Sequence, residues 1–337
     1  MNIGLIGAGR IGKIHGEIIT KHVKEAVIKT LSDPFMNDEI EAWAKGLGIK
    51  NVTKNHDDIF NDPEIEAVLI CSPTNTHTDL IIAAAKAGKQ IFCEKPISFD
   101  IEKIMEALKV VKECGVKLQI GFNRRFDHNI FELKKNVEAG TVGDVHIVKI
   151  TSRDAAPPPV SYVKVSGGIF LDMTIHDFDQ ARYLANSDVT EVYAQGAVLI
   201  DPEIGEAGDV DSAIVLLKFE NGALGVIDNS RKSGYGWDQR AEVHGSKGCI
   251  KADNDVSTTV KHIYGDNVSS DAPLSSFQGR YELAYAKEVE LFIEAVKNDT
   301  EVPVNGYDGL QPILVALAAT ESLKTHQPVK VQKIEMI

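Results

Sequence analysis

The hexamer Gly7-Ala8-Gly9-Arg10-Ile11-Gly12 stands between a strand-like run at residues 2–5 and a helical apolar period at residues 11–20. In that setting each glycine has its own job. The first makes the tight turn out of a strand, the second lets backbone approach a pyrophosphate, and the third lets helix pack closely on strand. A helix starting there aims its free N–H groups and its positive dipole end at the same spot. Gly7, Gly9, Arg10, Ile11 and Gly12 are therefore the expected phosphate-side contacts of a dinucleotide. Asp33 follows a second strand signal at residues 26–31, about twenty residues beyond the last glycine, where a carboxylate accepts from both ribose hydroxyls. Its charge would repel a 2′-phosphate, so NAD is expected rather than NADP. The bland alternative is a plain strand–helix turn, with Asp33 capping a loop.

Strand and helix signals keep alternating: helix at 37–47, strand at 65–71, helix at 78–87, strand at 90–93, helix at 101–114 and strand at 116–121. Such alternation predicts a doubly wound parallel sheet with helices on both faces. After Gly121 the character changes. Strand signals at 145–152, 191–199, 212–219, 223–230, 240–245 and 258–264 come in quick succession, with Asn221-Gly222 and Gly245-Ser246-Lys247-Gly248 as hairpin turns. Helical stretches at 281–297 and 309–325 close the chain. The expected fold is an α/β Rossmann-type doubly wound parallel sheet plus a C-terminal α+β domain with a large, mostly antiparallel open sheet. One face of that sheet can be left for a partner subunit. The expected domains are 1–121 for the dinucleotide and 122–337 for substrate and oligomer contacts.

Parallel sheets bind ligands beyond the carboxyl ends of their strands. Gln90-Ile91-Phe92-Cys93-Glu94-Lys95-Pro96 is an apolar strand ending abruptly in an acid, a base and a proline, so Lys95 is a cation placed at that edge. Cys71-Ser72-Pro73-Thr74-Asn75-Thr76-His77 reaches the same edge. Ser72, Thr74 and Asn75 offer groups to ribose or to the cap of the next helix, and Thr76 reads as a cap. His77 reads either as a nicotinamide-side contact or as a solvated loop histidine. Further on, Ser166-Gly167-Gly168 leads into Ile169-Phe170-Leu171-Asp172-Met173-Thr174-Ile175-His176-Asp177-Phe178-Asp179. Asp172 and His176 are four apart and share a helical face. A carboxylate beside an imidazole sets its tautomer and basicity, although a structural Asp–His pair has the same spacing. Asp177 and Asp179 read as solvated or capping groups, with one of them reaching the site as the alternative. No third strong ligand completes a metal set, so no metal is expected.

Net charge of −13 and the lack of any basic run argue against nucleic acid, whose binding draws on clustered Lys and Arg. No apolar run approaches the ~18–20 residues of a membrane span, and Met1-Asn2-Ile3-Gly4-Leu5 enters a strand pattern at once, so no signal peptide is expected. Cys71, Cys93, Cys114 and Cys249 show no metal-ligand spacing and read as reduced residues of a cytoplasmic protein.

Taken together, these segments resemble the glucose–fructose oxidoreductase and inositol dehydrogenase family. The resemblance covers essentially the whole chain: the Gly7–Gly12 loop, Glu94-Lys95-Pro96, Gly121-Phe122-Asn123-Arg124-Arg125-Phe126, the glycine pair leading to Asp172 and His176, and Gly236-Trp237-Asp238-Gln239-Arg240. Arg124-Arg125-Phe126-Asp127 and Ser152-Arg153-Asp154-Ala155-Ala156-Pro157-Pro158-Pro159 look most like the bacterial inositol 2-dehydrogenases. The resemblance implies an active site in the cleft between a Rossmann domain and a C-terminal mixed sheet, and a tetramer. It implies that Lys95 meets nicotinamide ribose and substrate, that Glu94 lies on the cofactor side, and that Asn123, Arg125 and Asp154 line the polyol pocket with Asp172 and His176. Trp237 stands where family members commonly have tyrosine, so one indole donor replaces a hydroxyl there.

The expected reaction is NAD-dependent oxidation of one secondary hydroxyl of a cyclic polyol, with myo-inositol or a stereoisomer foremost. His176 is the expected base, Asp172 its orienting partner and Lys95 the group that stabilises charge on oxygen. Two alternatives share the motifs: an NAD-dependent glycosidase or sugar oxidoreductase of the same fold, and a non-catalytic NAD-sensing protein.

Overall fold

The computed structural model describes residues 1–334, so the last three residues of the expected 122–337 domain lie outside the described residues. The chain forms two compact units, one from Met1–Asn123 and Glu282–Leu310, the other from Arg124–Tyr281 and Gln311–Ile334.

The first stretch runs β1 (Asn2–Ile6), α1 (Arg10–His22), β2 (Val27–Ser32), α2 (Asp38–Gly46), β3 (Asn51–Thr53), α3 (Asp57–Phe60), β4 (Ala67–Ile70), α4 (His77–Lys86), β5 (Gln90–Glu94), α5 (Ile101–Cys114) and β6 (Leu118–Gly121). Among the described residues these six strands pair in the order β3-β2-β1-β4-β5-β6, every pair parallel. Helices cover both faces, so β4 and β6 are buried at every position. That is why Ala67-Val68-Leu69-Ile70 reads as an unbroken apolar run rather than an alternating one. α5 shows how sharply such helices are bounded. Asp100 accepts from the backbone N–H of Glu102 and Lys103, and Gly115 ends the helix in the left-handed conformation at φ 66°.

The rest of the chain runs α6 (His128–Glu138), β7 (Val145–Arg153), α7 (Val160–Ser166), α8 (Ile169–Asp172), α9 (Thr174–Ala185), β8 (Val189–Ala197), α10 (Pro202–Glu206), β9 (Ser212–Phe219), β10 (Leu224–Ser230), β11 (Asp238–Gly245), β12 (Gly248–Ala252), β13 (Lys261–Tyr264), β14 (Asn267–Ser270), α11 (Phe277–Lys297), α12 (Gly306–Thr325) and β15 (Val329–Lys330). The second unit is built on a sheet ordered β12-β11-β7-β10-β9-β8-β15. It is antiparallel except at β7–β10, which run parallel with Ser230 opposite Arg153. The chain between those two strands includes α7 to α10, long enough for the crossover that a parallel pair needs. Along β9, Ala213, Val215, Leu217 and Phe219 point into the core, while Ile214 and Leu216 are 48% and 50% exposed on the other face. The strand expected at 258–264 is not part of this sheet. Among the described residues β13 pairs with β14 alone, as a separate two-stranded hairpin.

α11 is where packing departs from chain order. Its Val289, Phe292, Ile293 and Ala295 join Ile3, Leu5, Leu31, Leu69 and Phe92 in one core of the first unit. Full burial of each large apolar side chain is worth roughly 1.5–3 kcal/mol, so that unit depends on a segment far from it in sequence. Among the described residues no helix is long and apolar enough to cross a membrane.

Candidate functional site

In the first unit the loops after β1, β2, β4, β5 and β6 leave the carboxyl edge of one parallel sheet. The strand order reverses between β1 and β4, which opens a crevice at that edge. The glycine loop after β1 borders it on one side and Cys71–His77 after β4 on the other. The three glycines separate cleanly by what surrounds them. A Cβ at Gly7, held at φ 100°, would lie 2.7 Å from the Cys71 carbonyl oxygen. At Gly12 it would lie 2.0 Å from the Gly7 carbonyl oxygen. The protein's own packing therefore requires both. At Gly9 a Cβ would meet nothing within 4 Å, and its φ of −70° suits any residue. A small residue at that point serves something approaching from outside, which fits a pyrophosphate. The first turn of α1 carries no acidic residue of its own, which suits an anion at its N–H groups.

Asp33 is 8% exposed, and its carboxylate accepts from the backbone N–H of Ala8 at 2.7 Å and of Phe35 at 2.8 Å. The first bond ties the acid directly to the glycine loop, the second closes its own turn, and further lone pairs remain for ribose hydroxyls. Ser72 and Thr76 hydroxyls bond each other at 2.6 Å, and Thr76 also donates to the Pro73 carbonyl. Thr76 thus makes no side-chain cap to α4. A single turn of 3-10 helix, Thr74–Thr76, leads into α4, and the hydroxyl is used inside that turn. Thr74 is half-buried and Asn75 exposed in the same turn. His77 is buried rather than solvated. Its ring nitrogens lie 2.8 Å from the carbonyl oxygens of Pro96 and Ser72, which staples the two loops. Burial holds its pKa below the usual imidazole value. Lys95 follows β5 directly, half-buried, and its backbone N–H donates to Glu94 Oε2 at 3.2 Å.

In the second unit the parallel β7–β10 pair brings Asp154 and Arg231 out at the same edge, with Asp154 N–H donating to the Ser230 carbonyl. Gly167 and Gly168 have φ of 86° and 83°, the left-handed turn that a glycine pair makes without strain. Asp209 then accepts from the Ile169 N–H at 3.0 Å and starts α8. Asp172 ends α8, and α9 begins at Thr174 with His176 in its first turn, so the two do not share one unbroken helix. Both side chains are half-buried. Asp172 accepts from the Tyr162 hydroxyl at 2.9 Å and from Arg231 at 3.2 Å. Arg231 is 1% exposed and also reaches Asp209 at 3.5 Å.

Asp177 and Asp179, expected in solvent or at caps, are instead fully buried. Arg124 donates to Asp177 at 2.5 Å, with Asn229 on the other oxygen at 2.9 Å. Arg125 forks onto Asp179 at 2.8 and 2.6 Å and lies over the Tyr183 ring. The physical reason is that α9 is buried almost all round, against β7 among others. Acids on it must then be paired. Asn123 is buried beside these arginines in sequence, in the turn Asn123–Phe126. Asp154 is half-buried, and burial pushes its carboxyl up to about 6 against the opposing pull of Arg124 and Arg231, while Asp172 and Asp177 push it further up. Trp237 is half-buried and edge-on to Phe277 and Tyr281 at 5.4 and 6.2 Å. Its Nε1–H is shielded from solvent with no acceptor among the described residues, a donor that a ligand oxygen could use.

Arg231 and Tyr162, the groups that hold Asp172, were not singled out from sequence. Arg231 follows a strand whose parallel pairing has no sequence signature, and Tyr162 sits in a helix too short to show a period.

Residues 1–122 match the oxidoreductase family with an NAD-binding Rossmann fold, and residues 130–251 match the GFO/IDH/MocA C-terminal domain. A myo-inositol 2-dehydrogenase of Thermotoga maritima is 48% identical over 334 residues, covering 99% of this chain and 99% of that protein. An inositol 2-dehydrogenase of Rhizobium meliloti is 44% identical over 98% of this chain and 99% of its own. The crystal structure of a scyllo-inositol dehydrogenase from Lactobacillus casei, with bound NAD(H) and scyllo-inositol, superposes with a TM-score of 0.91 at 30% identity, covering 98% of this chain and 99% of that one.

Proposed function

Because the chain belongs to the GFO/IDH/MocA oxidoreductase family, we propose that it oxidises one secondary hydroxyl of a cyclic polyol, myo-inositol or a stereoisomer, to the ketone with NAD as acceptor. The observation that carries the substrate class is the 48% identity, end to end, with a myo-inositol 2-dehydrogenase. The test is NADH formation on addition of inositols.

Gly7, Gly9, Gly12 and the first turn of α1 at Arg10 and Ile11 hold the pyrophosphate. Asp33 holds the adenosine ribose, and Ser72, Thr74, Asn75, His77 and Glu94 shape the rest of the cofactor site. A nicotinamide bound there would supply the acceptor for the hydride of the carbon being oxidised. His176 takes the hydroxyl proton, since an imidazole exchanges protons near neutrality. Asp172, fixed by Tyr162 and Arg231, favours the imidazolium that results. Lys95 stabilises the negative charge growing on oxygen. Asn123, Arg125, Asp154 and Trp237 line the polyol site, with the Arg125 guanidinium held by its fork on Asp179. No metal takes part.

Replacing Asp33 with Ser removes the charge that repels a 2′-phosphate. The ratio of kcat/KM for NAD to that for NADP is then expected to fall by roughly 10-fold or more. An unchanged ratio would remove Asp33 as the discriminator.

Asp154 gives a pH dependence. Its carboxyl, raised to about 6, is an anionic acceptor above that pH and loses its charge as pH falls through it. A hydrogen bond to a charged group is worth about 1.5–3 kcal/mol, so KM for the polyol should rise about tenfold or more on acidification below about 6. In Asp154→Asn that acid limb should disappear, with KM already high at neutral pH. An acid limb that survives in the variant would assign it to another group.

The protein works as a homotetramer in the cytoplasm. Ile214, Leu216 and Leu224 on the open face of the second sheet are 48%, 50% and 54% exposed, and a second copy would cover them. All four cysteines are free thiols, in keeping with a reducing compartment. Leu216→Lys is expected to shift sedimentation to a smaller species. If wild type already sediments as a monomer, the assembly is excluded.

A further inference from the structure

Behind Lys95, inside the first unit, three ionisable groups are buried together. His15 on α1 is 0% exposed, Glu94 at the end of β5 is 7% exposed, and Glu288 on α11 is 0% exposed. His15 Nε2 lies 2.7 Å from Glu94 Oε1 and 4.0 Å from Glu288 Oε1. Both Glu288 oxygens and His15 Nδ1 are buried with no hydrogen-bond partner among the described residues. The groups around them add little compensation. The His15 ring is edge-on to Phe92 and Tyr285, each at 5.3 Å. Gln119 on β6 donates to the backbone oxygen of Glu288, not to its side chain. Cys71 and Cys93 are thiols whose pKa burial and the charge of Glu94 push well up, so they remain neutral.

Two carboxylates this close in a low-dielectric interior cannot both ionise beside one imidazole without a large cost. We propose that His15, Glu94 and Glu288 form one proton-sharing unit, with the proton held on Glu288, and that this unit positions the peptide carrying Lys95. Burial first and the charge of Glu94 second push the Glu288 carboxyl well above its ordinary value. Glu94 Oε1 faces the His15 ring at 2.7 Å. Its other oxygen accepts the Lys95 backbone N–H at 3.2 Å, so the unit reaches Lys95 through one hydrogen bond. Gly121 leaves the room this needs, because a Cβ there would lie 3.1 Å from the Glu94 carboxyl carbon. The positioning role rests on Lys95 being the charge-stabilising group. The placement of the proton does not.

The two halves are tested separately. A carboxyl whose folded pKa is raised keeps its proton in the fold but loses it on unfolding once pH passes the unfolded value. Glu288 therefore erodes stability as pH rises through the window above about 4.5. Glu288→Gln has no proton to lose. Its melting temperature minus that of wild type, measured on the full chain with NAD, should climb steadily from about pH 5 to about pH 8.5. A flat or falling difference means that Glu288 is anionic and overturns the proton assignment. A wild-type melting temperature raised by Zn²⁺ or Mn²⁺, but not raised in Glu288→Gln, overturns it in favour of a cation site.

For positioning, His15→Leu and Glu288→Leu should each lower kcat roughly 10-fold or more by misplacing Lys95, with KM for NAD little changed. Glu288→Gln, which mimics the protonated acid, should recover most of that loss. Folded Leu variants with wild-type kcat overturn the role. If Lys95→Met itself keeps full turnover, the catalytic reading of Lys95 has failed instead, and the stability result still decides the proton.

Discussion

His176→Ala is expected to lower kcat by about 10²–10⁴-fold, the usual contribution of a positioned general base, while NADH binding, followed by its fluorescence, stays within a few-fold of wild type. The two readouts part because His176 sits in the second unit on α9, whereas the glycine loop and Asp33 belong to the first. A base that takes the hydroxyl proton during oxidation would act in the transition state more than in the ground state. kcat and kcat/KM should then fall together. Turnover within a few-fold of wild type would remove His176 as the base. Asp172 would be the next group to test, since it is half-buried at the end of α8 and already held by Tyr162 and Arg231.

Lys95→Met should cost about 10²–10³-fold in kcat, the range seen when one preorganised donor to a developing oxyanion is removed. Methionine keeps the length and apolar stem but not the charge, so cofactor affinity should fall far less than turnover. Lys95→Arg should recover only part of the loss. Its planar fork is a poor replacement for a compact ammonium aimed from the end of β5, where the Glu94 contact fixes the backbone. A loss confined to KM would instead mean that Lys95 binds ground state and transition state alike.

What could be read from residues alone follows a physical boundary. The placement of the glycine loop, Asp33 and Lys95 at the carboxyl edge of the first sheet is legible because it needs only neighbours in sequence: a strand, a turn and a helix, in a sheet whose parallel order follows from alternation. Asp177 and Asp179 were misread because helical spacing tells which face a side chain occupies but not what covers it. Their partners, Arg124 and Arg125, lie more than fifty residues upstream. The Asp172–His176 spacing reads as one helical face, and the helix is interrupted at the single residue Met173 between α8 and α9. A mostly antiparallel sheet is legible from the alternating strands, but which pair runs parallel is not, because β7 and β10, which bring Asp154 and Arg231 to one edge, alternate in the same way whichever direction they pair. The contribution of α11 to the first unit is the hardest to foresee. Val289 and Phe292 form part of an ordinary amphipathic period, and nothing in it says which sheet they will cover.

The most direct measurement is absorbance of NADH during incubation of the purified protein and NAD with myo-, scyllo- and chiro-inositol and with glucose, alongside the reverse reaction on the corresponding ketones. Stoichiometric NADH with at least one inositol, abolished in both Lys95→Met and His176→Ala, is the expected result. No NADH with any inositol would contradict polyol oxidation, and release of a sugar from a glycoside without net NADH would contradict it in favour of glycosidic-bond cleavage.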